Sequence, residues 1–312
     1  MRCIDLHADT ISALMCGVSK GNLRENTGQV DIMKLIAGGV STQFLACYFD
    51  KTKVDSPYQM AKDMIRFAKK EMAECADAVM LARSVADMEQ AEREGKIAAF
   101  LTIEEGGALE GEPERLAEFY EDGVRLITLT WNYPNEIGYP NIGYRDADKG
   151  LTSFGREIVS EMERLGMLVD VSHLSDKGFY DVAEMMTKPF IASHSNARSI
   201  TEHPRNLTDD MIRRVAEAGG VIGLNFANIF LGDSPVSRIA DMVRHARHIY
   251  EIGGRDVLAL GSDFDGIDLD VEIRDASMLS LLWDGMAKDG FTEDDIDRMQ
   301  SKNVTRVLKD CL

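Results

Sequence analysis

Residues 3–9 read Cys3-Ile4-Asp5-Leu6-His7-Ala8-Asp9, a short apolar strand running into His-x-Asp. Side chains two apart on a strand share a face, so His7 and Asp9 are expected to point the same way. An imidazole nitrogen and a carboxylate oxygen are both good zinc ligands, and two of them leave coordination positions for other parts of the chain to fill. His-x-Asp also arises by chance, so the rest of the sequence is read for further strands that deliver ligand-type residues.

Such strands recur. Residues 41–49 (STQFLACYF), 97–103 (IAAFLTI), 124–130, 167–172, 189–193, 220–226 (GVIGLNF) and 256–261 read as seven more. Helical patterns separate them. Ser56-Pro57 opens one with a cap and a first-turn proline, and Met60, Met64, Phe67, Ala68 and Met72 line its apolar face as core packing. Ser84 and Asp87 begin another that Gly95 ends, Pro113 begins one over 113–121, and Ser153 caps one ending near Gly166. Further helices follow Ser175 and Thr208, cover 239–252, and close the chain near 277–288 and 292–310.

Eight strands alternating with helices, without a linker, repeat or low-complexity tract, predict an α/β fold. The expected architecture is a single (β/α)8 TIM-like barrel domain over residues 1–312 with extra C-terminal helices, a fold that typically needs about 250 residues. A doubly wound open sheet is the runner-up, and no Gly-x-Gly-x-x-Gly after the first strand supports it.

Composition narrows the function. A net charge of -18 repels nucleic acid and anionic membranes, so neither is expected as a partner. Five scattered cysteines without Cys-x-x-Cys spacing argue against a disulfide framework or thiolate metal site and fit a reducing compartment. With no signal-type segment or membrane-length apolar run, the expected location is cytoplasmic. The oligomeric state is open, a homodimer being the candidate assembly.

In a barrel of this kind active sites lie at the C-terminal ends of the strands. His7, Asp9, Glu104, His173, His194 and Asp263 all fall just beyond such ends, and one ring would hold them. Three of the six histidines fall there. His203 lies in a loop, and His245 and His248, on a helix, are read as solvated. Two histidines plus a carboxylate fill a zinc site, and the ring has enough ligands for two metals sharing one carboxylate. Metals about 3.5 to 4 Å apart can hold a hydroxide between them and polarise a carbonyl, which is a hydrolase's equipment. No Gly-x-Ser-x-Gly or phosphate loop competes. Residues 131–150 form a long loop holding Trp131, Tyr133, Tyr139 and Tyr144, readable as a binding lid or as a packed surface loop.

These motifs carry a family resemblance. Asp-Leu-His-Ala-Asp at 5–9, Ile-Glu-Glu-Gly-Gly at 103–107, Leu-Thr-Leu-Thr near 127–130, Asp-Val-Ser-His at 170–173, Ser-His-Ser at 193–195, Arg-Asn at 205–206, Gly-Ser-Asp-Phe-Asp-Gly at 261–266 and the closing Asn303-Val304-x-Arg306-Val307-Leu308 resemble the renal (membrane) dipeptidase family over nearly the whole chain. The resemblance implies a binuclear zinc dipeptidase that cleaves small dipeptides and often tolerates a D-residue at the C-terminal position. Carried onto matching positions, His7 and Asp9 would bind one zinc, His173 and His194 the other, and Glu104 would bridge them.

The family shows one glutamate before Gly-Gly where this chain has two, and Glu104 is preferred to Glu105 because it follows the strand directly. Asp263 would take the proton from the bridging water and pass it to the leaving amine, while Asp265 caps a turn. Arg205 would grip the substrate carboxylate through a two-pronged charge-assisted hydrogen bond. One departure stands out: where the family often places a histidine against the polarised carbonyl, this chain has Trp131 and Asn132, so these and Tyr133 are candidate substrate-binding residues. The alternatives are another amidohydrolase-type hydrolase, acting on a cyclic amide, lactone or phosphoester, and a non-catalytic metal-binding homologue. The ligands would also accept manganese, iron or cobalt.

Overall fold

The computed structural model describes residues 2–267 and 270–312. Its parallel sheet contains β1 (Cys3–Ala8), β2 (Val40–Tyr48), β3 (Val79–Leu81), β4 (Ile97–Glu104), β5 (Val124–Thr128), β6 (Leu168–Asp170), β7 (Ile222–Leu224) and β8 (Leu258–Leu260). The hydrogen-bonded order is β6-β5-β4-β2-β1-β8-β7, with β3 paired to the start of β4. Single bridges from Asp170 to Ile191 and from Ala192 to Ile222 join β6 to β7 through residues 191–192. They close the expected (β/α)8 barrel, whose staves are β1, β2, β4, β5, β6, this short segment, β7 and β8.

The strand expected at 189–193 thus survives only as two bridges, for a local reason. Pro189 brings no N–H to a ladder. The Ser193 N–H is drawn instead to the Asp170 carboxylate, 2.8 Å away. The Ser193 carbonyl also crowds its neighbours: a Cβ on Gly223 or Gly261 would stand 1.9 or 1.8 Å from it, so both positions require glycine. The short β3 was not foreseen in the sequence, nor were the helices Thr10–Met15, Ile32–Gly38 and Asn228–Leu231. Thr152, not Ser153, caps the helix Ser153–Leu165, accepting from the Gly155 N–H. The C-terminal helical stretch is interrupted by a π turn over Arg298–Lys302. Beyond it, Asn303 ties the last helix to the barrel by donating to the carbonyls of Arg255 and Leu258.

Ile4, Leu6, Phe44, Phe100, Leu126, Leu168, Ile191, Val221 and Ala259 form one buried cluster with Val304, Val307 and Leu308 of the final helix. Residues from every stave meet only inside the barrel, so this cluster is its floor. Strict alternation from Ile4 and Leu6 would turn His7 outward. It does not, because Asp5 pairs with Gln43 whereas Ala8 pairs with Leu45. Three steps on β1 match two on β2, and this bulge exchanges the faces: Ala8 joins the outer core beneath the helices, and His7 and Asp9 turn inward. The sheet's upper end is thereby supplied with ligands.

Residues 131–150 are a packed loop rather than a free lid. Ile137 is fully buried, the Asn141 N–H donates to the His173 carbonyl, and the Ser175 N–H donates to that of Tyr139. No helix among the described residues is long and apolar enough to cross a membrane.

Candidate metal centre

Glu104 ends β4 on its inward face, and its two carboxylate oxygens face different partners. Oε2 lies 3.2 Å from His7 Nε2, whereas Oε1 lies 3.0 Å from His173 Nε2 and 3.4 Å from His194 Nε2. His7 Nε2 is 3.7 Å from Asp9 Oδ2 and 3.9 Å from Asp263 Oδ1. Two ligand-type groups therefore share one carboxylate: His7 with Asp9, and His173 with His194. All of these residues are buried, apart from the partly exposed Asp263.

Glu105 is turned away. At φ 133° its Oε1 accepts from Gly107 N–H at 2.8 Å and from Asn135 Nδ2 at 2.6 Å. It caps the following turn. Asp265 is likewise occupied, accepting from the Gln29 N–H at 2.5 Å and the Thr10 hydroxyl at 2.7 Å. His173, Asp263 and Asp265 hold φ values of 67°, 62° and 65°. Left-handed backbone at three non-glycine residues is strain that the surrounding barrel must over-determine, and such strain clusters at functional sites.

The electrostatics show what the cluster lacks. Burial drives Asp9 up to about 7 and Asp263 up to about 6. Burial also opposes charge on His7, but the negative charges of Glu104 and Asp9 beside it outweigh burial and hold the imidazole well above its ordinary value. For Glu104, burial loses to the charge on His7 and to the three imidazoles that face its oxygens, leaving the carboxyl well below the usual range. Burial takes His173 down to about 4 and His194 lower than its ordinary value, with Arg205 adding to both. Buried carboxylates crowded at the strand ends favour positive charge beside them, which a bound metal ion would supply.

The donor set fits one. His7 Nδ1 and Nε2 and Asp9 Oδ1 are buried without hydrogen-bond partners. His173 Nδ1 is 3.2 Å from Asn132 Oδ1, an atom that can only accept; this pairing favours the proton on Nδ1 and a lone pair on Nε2, which faces Glu104 and lies 3.0 Å from His194 Nε2. Gly266 walls the cluster: a Cβ there would come within 2.1 Å of Asp9 Oδ2 and 2.9 Å of Asp263 Oδ1.

Above the cluster lies a cavity of about 260 Å³ bounded by Tyr48, Trp131, Asn132, Arg205, Phe230 and Ile267. Arg205 is 5% exposed, its Nη2 donates to the His194 carbonyl at 3.2 Å, and its Nε and Nη1 have no partner. Asp263 Oδ2 accepts from Asn225 Nδ2 at 2.8 Å. Trp131 packs against Tyr48 with ring centroids 4.9 Å apart and planes inclined by 59°. Tyr133, expected to bind substrate, does not line this cavity. It is exposed and packs against the outer side of Trp131 at 5.8 Å.

Two parts of the surroundings escaped the sequence reading. The short helix Asn228–Leu231 supplies the Ile229 and Phe230 wall, and its four residues carry no periodic signal. His245, read as solvated, is fully buried: its Nδ1 accepts from the Ala197 N–H and its Nε2 meets the Leu231 carbonyl at 3.1 Å. It ties the loop carrying Arg205 to that wall. His248 is also engaged, 2.7 Å from Asp209.

The profile of the membrane dipeptidase family, peptidase family M19, matches residues 1–311. The chain belongs to that family. It is 31% identical over 308 residues to an uncharacterized dipeptidase of Schizosaccharomyces pombe, covering 91% of this chain and 72% of the relative. The crystal structure of dipeptidase AC, an M19 metallopeptidase, superposes with a TM-score of 0.92 at 27% identity, covering 100% of this chain and 98% of the other. A metallopeptidase from Rhodobacter sphaeroides, liganded with a phosphinate mimic of the dipeptide L-Ala-D-Ala, gives 0.92 at 26% identity, covering 100% and 99%. This M19 chain is thus a metal-dependent dipeptidase, a hydrolase acting on peptide bonds.

Proposed function

We propose that this M19 dipeptidase binds two zinc ions and cleaves small dipeptides bearing a free carboxylate, L-Xaa-D-Xaa among them. The carrying observation is Glu104, whose two oxygens each face a separate group of ligand-type atoms. His7 and Asp9 would hold one ion and His173 and His194 the other, with Glu104 shared. Nitrogen and carboxylate donors suit zinc, with manganese, iron and cobalt as competitors. The bound pair would lower the pKa of a water and polarise the scissile carbonyl.

The chain's own residues do the rest. Arg205 offers two unsatisfied donors to the substrate carboxylate. Asp263, anchored through Oδ2 by Asn225, keeps Oδ1 beside the cluster to take a proton from the attacking water and return it to the leaving amine. Asn132 spends its oxygen on His173, which leaves its amide N–H groups for the developing oxyanion, a contact worth roughly 3 kcal/mol. The cavity falls below the ~300 Å³ at which drug-sized pockets begin, which suits a dipeptide. The ligand of the Rhodobacter sphaeroides relative supports an L,D stereochemistry. Five free cysteines support a reducing, cytoplasmic location.

Metal quantitation joined to a substrate panel tests this reading. Two zinc equivalents, hydrolysis of L,L- and L,D-dipeptides, and loss of both metal pairing and turnover in Glu104→Gln are expected. Turnover confined to lactones or phosphotriesters, or two bound metals without any hydrolysis, would refute it.

A further inference from the structure

Beneath the cluster, Asp170 of β6 is buried among four donors. Its Oδ1 accepts from the N–H groups of Ser172 at 3.0 Å and Ser193 at 2.8 Å. Its Oδ2 accepts from the hydroxyls of Thr128 at 2.7 Å and Ser193 at 2.5 Å. Ser193 Oγ has a second neighbour, His194 Nδ1, at 2.7 Å. A serine hydroxyl has one proton, and here it is committed to the carboxylate. Toward His194 the oxygen can therefore only accept, which places the imidazole proton on Nδ1 and leaves Nε2 bare in front of Glu104.

We propose that Asp170 is a positioning residue for one half of the metal centre, acting through Ser193 to hold His194 in the tautomer that can ligate. The inference rests on the metal-binding reading given under Proposed function. A second buried carboxylate provides the contrast. Asp5 takes the N–H and hydroxyl of Ser262 at 2.9 and 2.6 Å, but that hydroxyl touches no imidazole nitrogen, and His7 Nδ1 has no partner. The barrel thus uses the same carboxylate–serine clamp twice, and only the Asp170 copy continues to a ligand. Partners of this kind change metal affinity by about 10–100-fold.

The asparagine variant separates relay from scaffold. In Asp170→Asn, Oδ1 still accepts from both N–H groups, but an NH2 replaces Oδ2 and faces two hydroxyls that formerly donated. Ser193 must then accept from the amide and turn its proton toward His194 Nδ1. The imidazole proton moves to Nε2 and caps the atom that a metal needs. Ser193→Ala only removes the anchor, so it is the milder change although Ser193, not Asp170, touches the histidine.

The test titrates the metal-free full-length protein with Zn²⁺ against a chromophoric chelator. In parallel, the His194 tautomer is read from nitrogen chemical shifts of the 15N-labelled histidines. Expected are an Nδ1–H His194 in the parent protein, an Nε2–H form in Asp170→Asn, and an unchanged tautomer in Asp5→Asn. One of the two ions should bind about 10–100-fold more weakly in Asp170→Asn, with a smaller loss in Ser193→Ala. An Nε2–H parent, equal weakening of both ions, or a Ser193→Ala loss exceeding that of Asp170→Asn would overturn the proposal. Should Asp170→Asn fail to fold, the parent tautomer and the Ser193→Ala titration still decide it. Failure to bind any zinc would instead remove the metal-centre reading, while the tautomer measurement stands apart from it.

Discussion

At Arg205 stability and activity are expected to pull in opposite directions. Its guanidinium is 5% exposed, with Nε and Nη1 unpartnered, one hydrogen bond from Nη2 to the His194 carbonyl, and the Phe230 ring 5.2 Å away. Replacing buried ionic groups by apolar volume is neutral or stabilising by about 1–4 kcal/mol, and losing the Nη2 hydrogen bond returns about 1 kcal/mol. Arg205→Met should therefore leave the substrate-free protein as stable or up to about 3 kcal/mol more stable. The same change strands a substrate carboxylate in a buried cavity, a loss of about 3 kcal/mol. At 1.36 kcal/mol per decade this is more than a hundredfold in kcat/KM. The assay pairs urea unfolding with kcat/KM for L-Ala-D-Ala and its C-terminal amide. The acid should lose more than a hundredfold and the amide less than about tenfold. Equal losses for both substrates, or a destabilised variant, would show that the guanidinium is structural.

Gly266→Ala places a methyl 2.1 Å from Asp9 Oδ2, so one metal equivalent should be weakened and turnover should fall with cooperative unfolding retained; metal stoichiometry by mass spectrometry checks this, and full occupancy with full turnover counts against it. Glu105→Gln keeps the Oε1 acceptor for Gly107 and Asn135, and should stay within about 1 kcal/mol of the parent while binding both metals; loss of one would transfer the bridging role to Glu105. His245 gives an acid-sensitive element. Burial lowers it to about 4 against 6.5 when unfolded, so its stabilisation is complete above pH 6.5 and is lost as pH falls toward 4, about 3 kcal/mol in all. His245→Gln should flatten the pH slope of urea unfolding across that window, and an unchanged slope would be the contrary result.

Much of this protein is legible before folding is considered. Parallel strands in a barrel all point their C-terminal ends to one rim, so residues that directly follow apolar runs share that rim whatever their distance along the chain. His7, Glu104, His173, His194 and Asp263 could be placed together on that ground. Asn132, flagged together with Trp131 where the family often places a histidine, does lie beside the cluster, against His173.

What the chain could not reveal locally depends on long-range register and burial. Alternation along β1 turns His7 to the wrong face until the pairing with β2 inserts the bulge that turns it inward. The choice between Glu104 and Glu105 rests on whether Asn135 is near enough to occupy one of them. Ser193 leaves the ladder because a carboxylate from a neighbouring strand outcompetes a backbone carbonyl for its N–H. His245 and the Asn228–Leu231 wall join the site only because a loop and a helix end meet there. The amino-acid order determined which side chains arrive at the rim, since strand period and connection order are properties of the sequence. Which atoms of those side chains face one another was decided by packing between segments up to 257 residues apart, as Asp5 and Ser262 are.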